Sequence, residues 1–471
     1  MFTRRTKIVC TIGPSSNSPE AIEGLIVAGM DVARLNFSHG THEDHQRAVT
    51  TIREASARLR KAITILGDLS GPKIRAGRIG GAREVVAGDT LCLMAGEDAP
   101  PGVIPIRYAT LATDLRSGDA IHADDGRIRL RVTEITGDRV HVVVEEGGRL
   151  RDAVGIHLPS GNLQLDALTP KDKLDLEFGL TAGIDYVAVS FVRSVDDVRR
   201  VREFCEARGR MVPVCSKIET PQAIEHLEAI VEASDAVMVA RGDLGVEFPP
   251  EQVPVLQHRV LVCAAARRRP AIVATEMLHS MVTSTRPTRA EASDVANAIF
   301  DGADATMLSG ETASGAHPAL AVGMMARIIS AAENSPYWQP ERPAAHARPM
   351  PFPEATARMA VMASHDLDAR LIAVFTQGGD TARLISKERP TVPVVAFSPS
   401  EIVRRRLGLL WGVTPRVMEP IADTDEMVEA VQAHLLASGM VTAGDRIVLV
   451  FGAPIAVKGR TNTVRVHLVA G

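Results

Sequence analysis

The chain has 471 residues, 45% of them hydrophobic and 23% charged, with a formal net charge of -4. That length suits roughly two to four domains, with enough apolar material for cores that need no disulfide or metal staple. The near balance of charge argues against nucleic acid or an acidic membrane held by bulk electrostatics, while a small anion needs only a local cluster.

The N-terminal stretch "MFTRRTKIVCTIG" has positive charge but no apolar segment behind it, so it does not read as a signal peptide. Nor is there an apolar run of ~18 residues that would read as a membrane span. The five cysteines (Cys10, Cys92, Cys205, Cys215 and Cys263) are odd in number and form no C-x-x-C. Buried thiols in a reducing, cytoplasmic compartment are expected.

Short apolar runs then recur along the chain: "KIVCTI" (7–12), "VARLNF" (32–37), "AITILGDL" (62–69), "YVAVSFV" (186–192), "MVPVCSKI" (211–218), "AVMVAR" (236–241), "AIVATEM" (271–277) and "ATMLS" (305–309). Continuous rather than alternating hydrophobicity marks strands of a parallel sheet covered on both faces. Amphipathic stretches such as "VDDVRRVREFCEAR" lie between most of them. The expected fold class is therefore α/β, a closed (β/α)8 TIM barrel, with a doubly wound open sheet as the alternative. The rhythm breaks once. Residues 72–165 carry turn signals ("AGD", "SGD", "ADDG", "TGD") between short alternating runs such as "RIRLRVTEI" and "RVHVVVEE". They read as a small β domain, a lid inserted between barrel parts 1–71 and 166–335. Residues 334–353 hold six prolines, and a linker is assigned to 336–353. Beyond it, "RLIAVFT", "TVPVVAFS", "RVMEP" and "DRIVLVFG" alternate with helical segments, giving a C-terminal α/β domain over 354–471.

Reactive groups of such a barrel gather at the C-terminal ends of its strands. Those ends carry Arg34, Asn36, Ser38, Asp68, Lys217, Glu219, Arg241, Asp243, Thr275, Ser309 and Glu311. Any strand leaving a core turns polar, but this many charges near a core are costly unless paired or used. In "VCSKIET", Lys217 and Glu219 are two apart and share a face of their strand. A structural salt bridge would explain them. With Asp243 at the next strand end, they also offer two carboxylates beside a lysine, a set that suits Mg2+ and charge stabilisation in phosphoryl transfer or on an enolate. Arg34 and Arg75 add cation for a phosphate or carboxylate. His39, His42 and His45 tempt a metal reading, but Thr41 and Asp44 make a capping box there, and helix capping is the better account. No P-loop or kinase signature occurs.

The motifs "TKIVCTIGPSS", "GMDVARLNFSHG", "GDLSGPKIRAG", "SKIET", "ARGDLGVE", "ATEMLHSM", "PTRAEASDVANAIFDGADATMLSGETA" and "GRTNTVRV", in this order and spacing, resemble the pyruvate kinase family over essentially the whole chain. The resemblance implies phosphoryl transfer from phosphoenolpyruvate to ADP, giving pyruvate and ATP. It implies Mg2+ on Glu219 and Asp243, with Mn2+ as a substitute, and Lys217 beside the transferring phosphoryl. Arg34 matches a phosphate-binding arginine. Gly242, Asp243 and Thr275 match the substrate carboxylate site, and Thr275 and Ser309 match positions tied to enolate protonation. Asn36 and Arg75 match nucleotide contacts. Asn36, Ser38, Asp68 and Leu69 match a monovalent-cation site. Members that need K+ usually carry "GPEIR"; here Lys73 replaces that Glu and Leu69 follows Asp68, so the chain resembles the K+-independent branch, with the lysine ammonium standing in for the ion.

Two departures stand out. The family's basic residues before "GVNLP" become Ala153 and Val154, with His157 for the Asn, so Arg149 or Arg151 is expected to serve. Glu276 replaces a common glutamine. The family further implies a homotetramer and a phosphorylated effector in the C-terminal domain, where "VFTQGGDTARLIS" places Thr376 and Thr381 at a strand–turn–helix junction. Two other functions are carried as alternatives: a Mg2+-dependent barrel lyase acting through a pyruvate enolate, and a catalytically silent metabolite-binding homologue.

Overall fold

The computed structural model describes residues 4–124, 126–158, 166–338, 349–421, 423–453 and 461–471. Eight parallel strands close into one barrel: β1 (Lys7–Thr11), β2 (Val32–Asn36), β3 (Thr64–Asp68), β4 (Tyr186–Val189), β5 (Val214–Ile218), β6 (Ala236–Ala240), β7 (Ala271–Ala274) and β8 (Ala305–Leu308). Each strand pairs with its sequence neighbours, and β1 with β8. The open-sheet alternative is thereby excluded. Most of these strands are buried along their whole length, as runs packed inside a ring of helices must be.

A repeated ion pattern frames the barrel floor. The residue before each even-numbered strand is an aspartate whose carboxylate accepts an N–H from the preceding odd strand. Asp31 takes Ile8, Asp185 takes Ile65, Asp235 takes Val214 and Asp304 takes Ala271, at 2.8–3.0 Å. Each is matched by cation: Arg4 for Asp31, Arg53 and Arg405 for Asp185, Arg202 for Asp235, Lys387 and Arg389 for Asp304. A buried carboxylate needs such partners to remain ionised. Burial alone would raise the pKa of Asp304, but Arg389 and Lys387 outweigh it and hold it below the usual range.

Arg405, Lys387 and Arg389 belong to the C-terminal domain, which closes the barrel from below. Its parallel strands β9 (Leu371–Phe375), β10 (Val394–Ser398), β11 (Val413–Val417) and β12 (Arg446–Phe451) are joined by antiparallel β13 (Thr463–Leu468). The turn Leu407–Leu409 enters the floor, and Leu409 packs in the barrel interior with Val9, Leu66, Tyr186 and Met238. The approach is so close that a Cβ on Gly408 would lie 2.6 Å from Thr64 Oγ1. Lys7 Nζ donates to the Val413 carbonyl across the same seam at 2.8 Å. At its edge Trp338 stacks on Trp411, with ring centroids 5.7 Å apart, and Arg5 and Arg389 lie over the indoles.

Between β3 and β4 a seven-stranded sheet runs from Ile74 to His157. Its two edges meet: Ala76 bridges Ile106, and Arg107 N–H donates to the Arg75 carbonyl at 2.8 Å, so the sheet curls into a small barrel. Alternate residues such as Ile128, Leu130, Val140 and Val142 fill its core.

Several expected boundaries need correction. The run 186–192 stops as a strand at Val189, and 271–277 stops at Ala274. Phe191, Thr275 and Glu276 have φ of +55°, +70° and +54°, which no strand can hold. "RVMEP" is not the strand; the strand is Val413–Val417, with Pro415 inside it. It lies at the sheet edge, where a missing N–H is tolerated. Strand β13 is an addition to the expected set. Helix Phe352–Asp366 begins inside the expected linker, with proline in its first turn. Residues 339–348 of that linker, and Gly459 and Arg460 of "GRTNTVRV", lie outside the described residues.

Candidate active site

The C-terminal ends of the strands bring the charged set together. Lys217 and Glu219 leave β5 on one face, with Lys217 Nζ 2.7 Å from Glu219 Oε1. Nζ also donates to Ser190 Oγ at 2.7 Å and lies 3.6 Å from Asp68 Oδ1. Across the mouth, Arg34 Nε donates to Asp68 Oδ2 at 2.6 Å and its NH1 to Thr11 Oγ1 at 3.0 Å. Asp68 thus stands between two cations. Burial would lower the pKa of Lys217, yet Asp68, Glu219 and Asp243 together override it, so the ammonium is held firmly protonated. Burial pushes the Glu219 carboxyl up, and Asp243 adds to the shift.

Thr275 sits just past β7 with φ +70°, a strained state for a β-branched residue that costs roughly 1–3 kcal/mol. Its Oγ1 donates to the Ala274 carbonyl and accepts the Gly242 N–H at 2.7 Å. That bond ties β7 to the start of helix Arg241–Glu247, which carries Asp243. Arg241 is structural: it pairs with Asp294 at 2.7 Å and donates to the Thr275 carbonyl. Ser309 follows β8; its N–H donates to Glu311, and its Oγ is buried without a hydrogen-bond partner.

The turn after β3 carries the remaining candidates. Leu69 is buried, and its N–H bonds to the Ala188 carbonyl. Ser38 Oγ donates to Ser70 Oγ at 3.1 Å, and Asn36 Oδ1 accepts the Ser38 N–H. Lys73 is exposed and makes no ion pair among the described residues. Burial would raise the pKa of Asp68, but Lys217 and Arg34 lower it and the Lys73 charge adds to them; the same charge adds to burial in lowering the pKa of His39. Arg75 donates to the Ala153 carbonyl of the small barrel at 2.8 Å.

Lys73 and Arg75 line two cavities. One, of about 500 Å3, is shared with Arg151, Arg193, Asp243 and His157. The other, of about 400 Å3, is shared with Ser38, Arg107, Tyr108 and Lys171. A third, of about 690 Å3, is lined by Gly242, Asp243, Thr275 and Glu276. Arg151 therefore faces the mouth, whereas Arg149 lies beside Glu84 on a separate two-stranded ribbon. His157 reaches Glu247 at 3.3 Å and His122 the Val246 carbonyl at 2.6 Å, which seats the lid on the barrel.

The three histidines behave as capping demands. Thr41 and Asp44 form the capping box, His42 bonds Asp175 and His45 bonds the His39 carbonyl. Among the described residues no cluster of three His, Cys, Asp or Glu is gathered for a metal. Thr376 and Thr381 are both buried: Thr376 Oγ1 accepts the Gly379 N–H, and Thr381 Oγ1 meets Thr461 Oγ1 at 2.5 Å. Thr11, Ser190, Phe191, Arg193 and Lys171 join the site without standing out in the sequence. The signal available at the end of β4 is Ser190, the hydroxyl that directly follows the strand inside the apolar run.

The family model described as "Pyruvate kinase, barrel domain" matches residues 3–322, and "Pyruvate kinase, alpha/beta domain" matches residues 354–467. A pyruvate kinase of Mycobacterium tuberculosis is 45% identical over 99% of this chain and 98% of its own. One from Corynebacterium glutamicum is 44% identical over the same shares. The crystal structure of a pyruvate kinase from Cryptosporidium parvum superposes with a TM-score of 0.94 at 36% identity, covering 99% of this chain and 96% of that one.

Proposed function

Since the chain belongs to the pyruvate kinase family and moves a phosphoryl group from phosphoenolpyruvate to ADP, we propose that the transfer takes place at the barrel mouth around Lys217. The observation that carries this reading is a buried Lys217 side chain set between Asp68 and Glu219, with Arg34 alongside. An oxygen of the ADP β-phosphate attacks phosphorus, and the bond from phosphorus to the enolate oxygen breaks. Lys217 meets the charge that develops on the phosphoryl oxygens and the departing enolate, in a water-poor site where such groups act strongly. Arg34 holds the phosphate, and its Asp68 and Thr11 contacts fix the guanidinium. The Gly242 and Asp243 amides and Thr275 hold the substrate carboxylate. Thr275 and Ser309 serve the proton delivered to the enolate carbon, directly or through water. Asn36 and Arg75 contact the nucleotide, and Arg151 replaces the family's lid cation.

The family uses Mg2+, and the residues present fit it. Glu219 Oε1 is buried and faces the Lys217 ammonium at 2.7 Å, and Glu219 and Asp243 are two carboxylates at neighbouring strand ends that leave positions for water and substrate oxygens. When bound there, Mg2+ neutralises phosphoryl charge. For the monovalent site, Asn36, Ser38, Asp68 and the Leu69 carbonyl supply oxygens, and the Lys73 ammonium supplies the charge, so K+ is not required. A phosphorylated effector at Thr376 and Thr381, a homotetramer and a cytoplasmic location complete the reading. Among the described residues no helix is long and apolar enough to cross a membrane.

Coupled measurement of ATP formation from phosphoenolpyruvate and ADP, with and without Mg2+, tests the reaction; a lyase or a silent homologue would form none. Lys217→Met tests the centre. It should keep its fold and much of its substrate binding while losing at least ~10³-fold in turnover. A variant within about tenfold of the wild type would remove Lys217 from the reaction.

A further inference from the structure

We propose that Ser190 is a positioning residue for phosphoryl transfer: its hydroxyl, oriented by the Leu69 carbonyl, fixes the ammonium of Lys217. This rests on the reading of Lys217 given above. Ser190 Oγ donates its one proton to the Leu69 carbonyl at 2.8 Å. Only lone pairs are then left for Lys217, which donates to the same oxygen at 2.7 Å. The hydroxyl cannot turn to donate elsewhere without losing a buried bond, so it is a directed acceptor. Glu219 attracts the ammonium along one direction and Ser190 along another, leaving its remaining face toward Asp68 and the mouth.

The next residue does the same for the carboxylate. Phe191 N–H donates to Glu219 Oε2 at 2.7 Å, from a backbone held at φ +55°. Ser190 and Phe191 therefore form one corner that orients both members of the Lys217–Glu219 pair. The corner is itself braced by the turn after β3. Gly71 packs so tightly on it that a Cβ there would lie 2.9 Å from both Ser190 Cβ and the Phe191 ring. The turn that carries Lys73 is thereby joined to Lys217 through a single serine. Ser190 is 2% exposed, so both of its bonds are made away from bulk solvent.

The test is steady-state kinetics on the full-length enzyme with Ser190→Ala, Ser190→Thr and Lys217→Met, together with Mn2+ titration by paramagnetic resonance and thermal melts. Ser190→Ala should lower kcat about tenfold or more, as small misplacements of catalytic groups do. Its KM for phosphoenolpyruvate and its Mn2+ affinity should match the wild type, and its melting temperature should fall by no more than the few degrees that losing a buried hydrogen bond costs. Ser190→Thr, which restores a hydroxyl, should recover most of the kcat. A Ser190→Ala kcat equal to the wild type would overturn the proposal. So would a kcat loss accompanied by lost Mn2+ affinity, a raised KM and no recovery in Ser190→Thr, which would mark Ser190 as merely structural. A fully active Lys217→Met would instead sink the assignment of Lys217 itself, whatever Ser190 does.

Discussion

Lys73 carries its charge on an exposed turn, yet that charge reaches buried Asp68 and nearby His39. A tethered ammonium at this place should do electrostatically what a bound K+ does. At constant ionic strength, replacing K+ by Na+ or tetramethylammonium is expected to change the rate little, and Lys73→Glu should create a K+ requirement. If KCl raises wild-type activity by more than about tenfold, some 1.4 kcal/mol, the lysine is no substitute cation. Charged residues were the readable ones in the sequence. Lys217, Glu219, Arg34 and Asp68 stand out because charge inside apolar runs is costly unless it is used. Ser190 did not. A serine in "YVAVSFV" costs little, and its partners Lys217 and Leu69 lie 27 and 121 residues away.

Among elements, the strands were legible and their ends were not. Hydrophobic continuity marks all eight barrel strands, but it overruns wherever the backbone turns at the site, as at Phe191 and Thr275. Backbone strain of this kind leaves no trace in composition. The same holds for the loop before helix Asp380–Lys387. Its sequence suggested free groups for an anion, whereas both threonine hydroxyls bond within the domain, Thr381 to Thr461 across 80 residues. Binding a phosphorylated effector would have to exchange the Thr381–Thr461 bond for one to the ligand. Thr381→Glu places a carboxylate in that position and should abolish activation by any sugar phosphate or nucleoside monophosphate that activates the wild type. Activation curves that superimpose for the two proteins would remove the effector from this loop.

Over the whole molecule, the mouth proposed for phosphoryl transfer and the C-terminal domain lie at opposite ends of one barrel, and Leu409 fills the interior between them from below. Leu409→Ala should cost about 2–5 kcal/mol, the usual range for a fully buried leucine. Chemical denaturation would measure it, and a loss below about 0.5 kcal/mol would mean that the plug contributes no more than a surface side chain. Nothing in the local sequence announces the plug, because "LGLLWG" reads as an ordinary apolar stretch and its partners lie on strands hundreds of residues earlier. The seam has one more property. Both of the chain's tryptophans, Trp338 and Trp411, stack there under arginines. The tryptophan fluorescence of the protein therefore originates at this joint, close beside two guanidinium groups. Indole emission, followed while substrate or effector is added to the native enzyme, reports on barrel and C-terminal domain parting or tightening, with no dye attached and no residue changed.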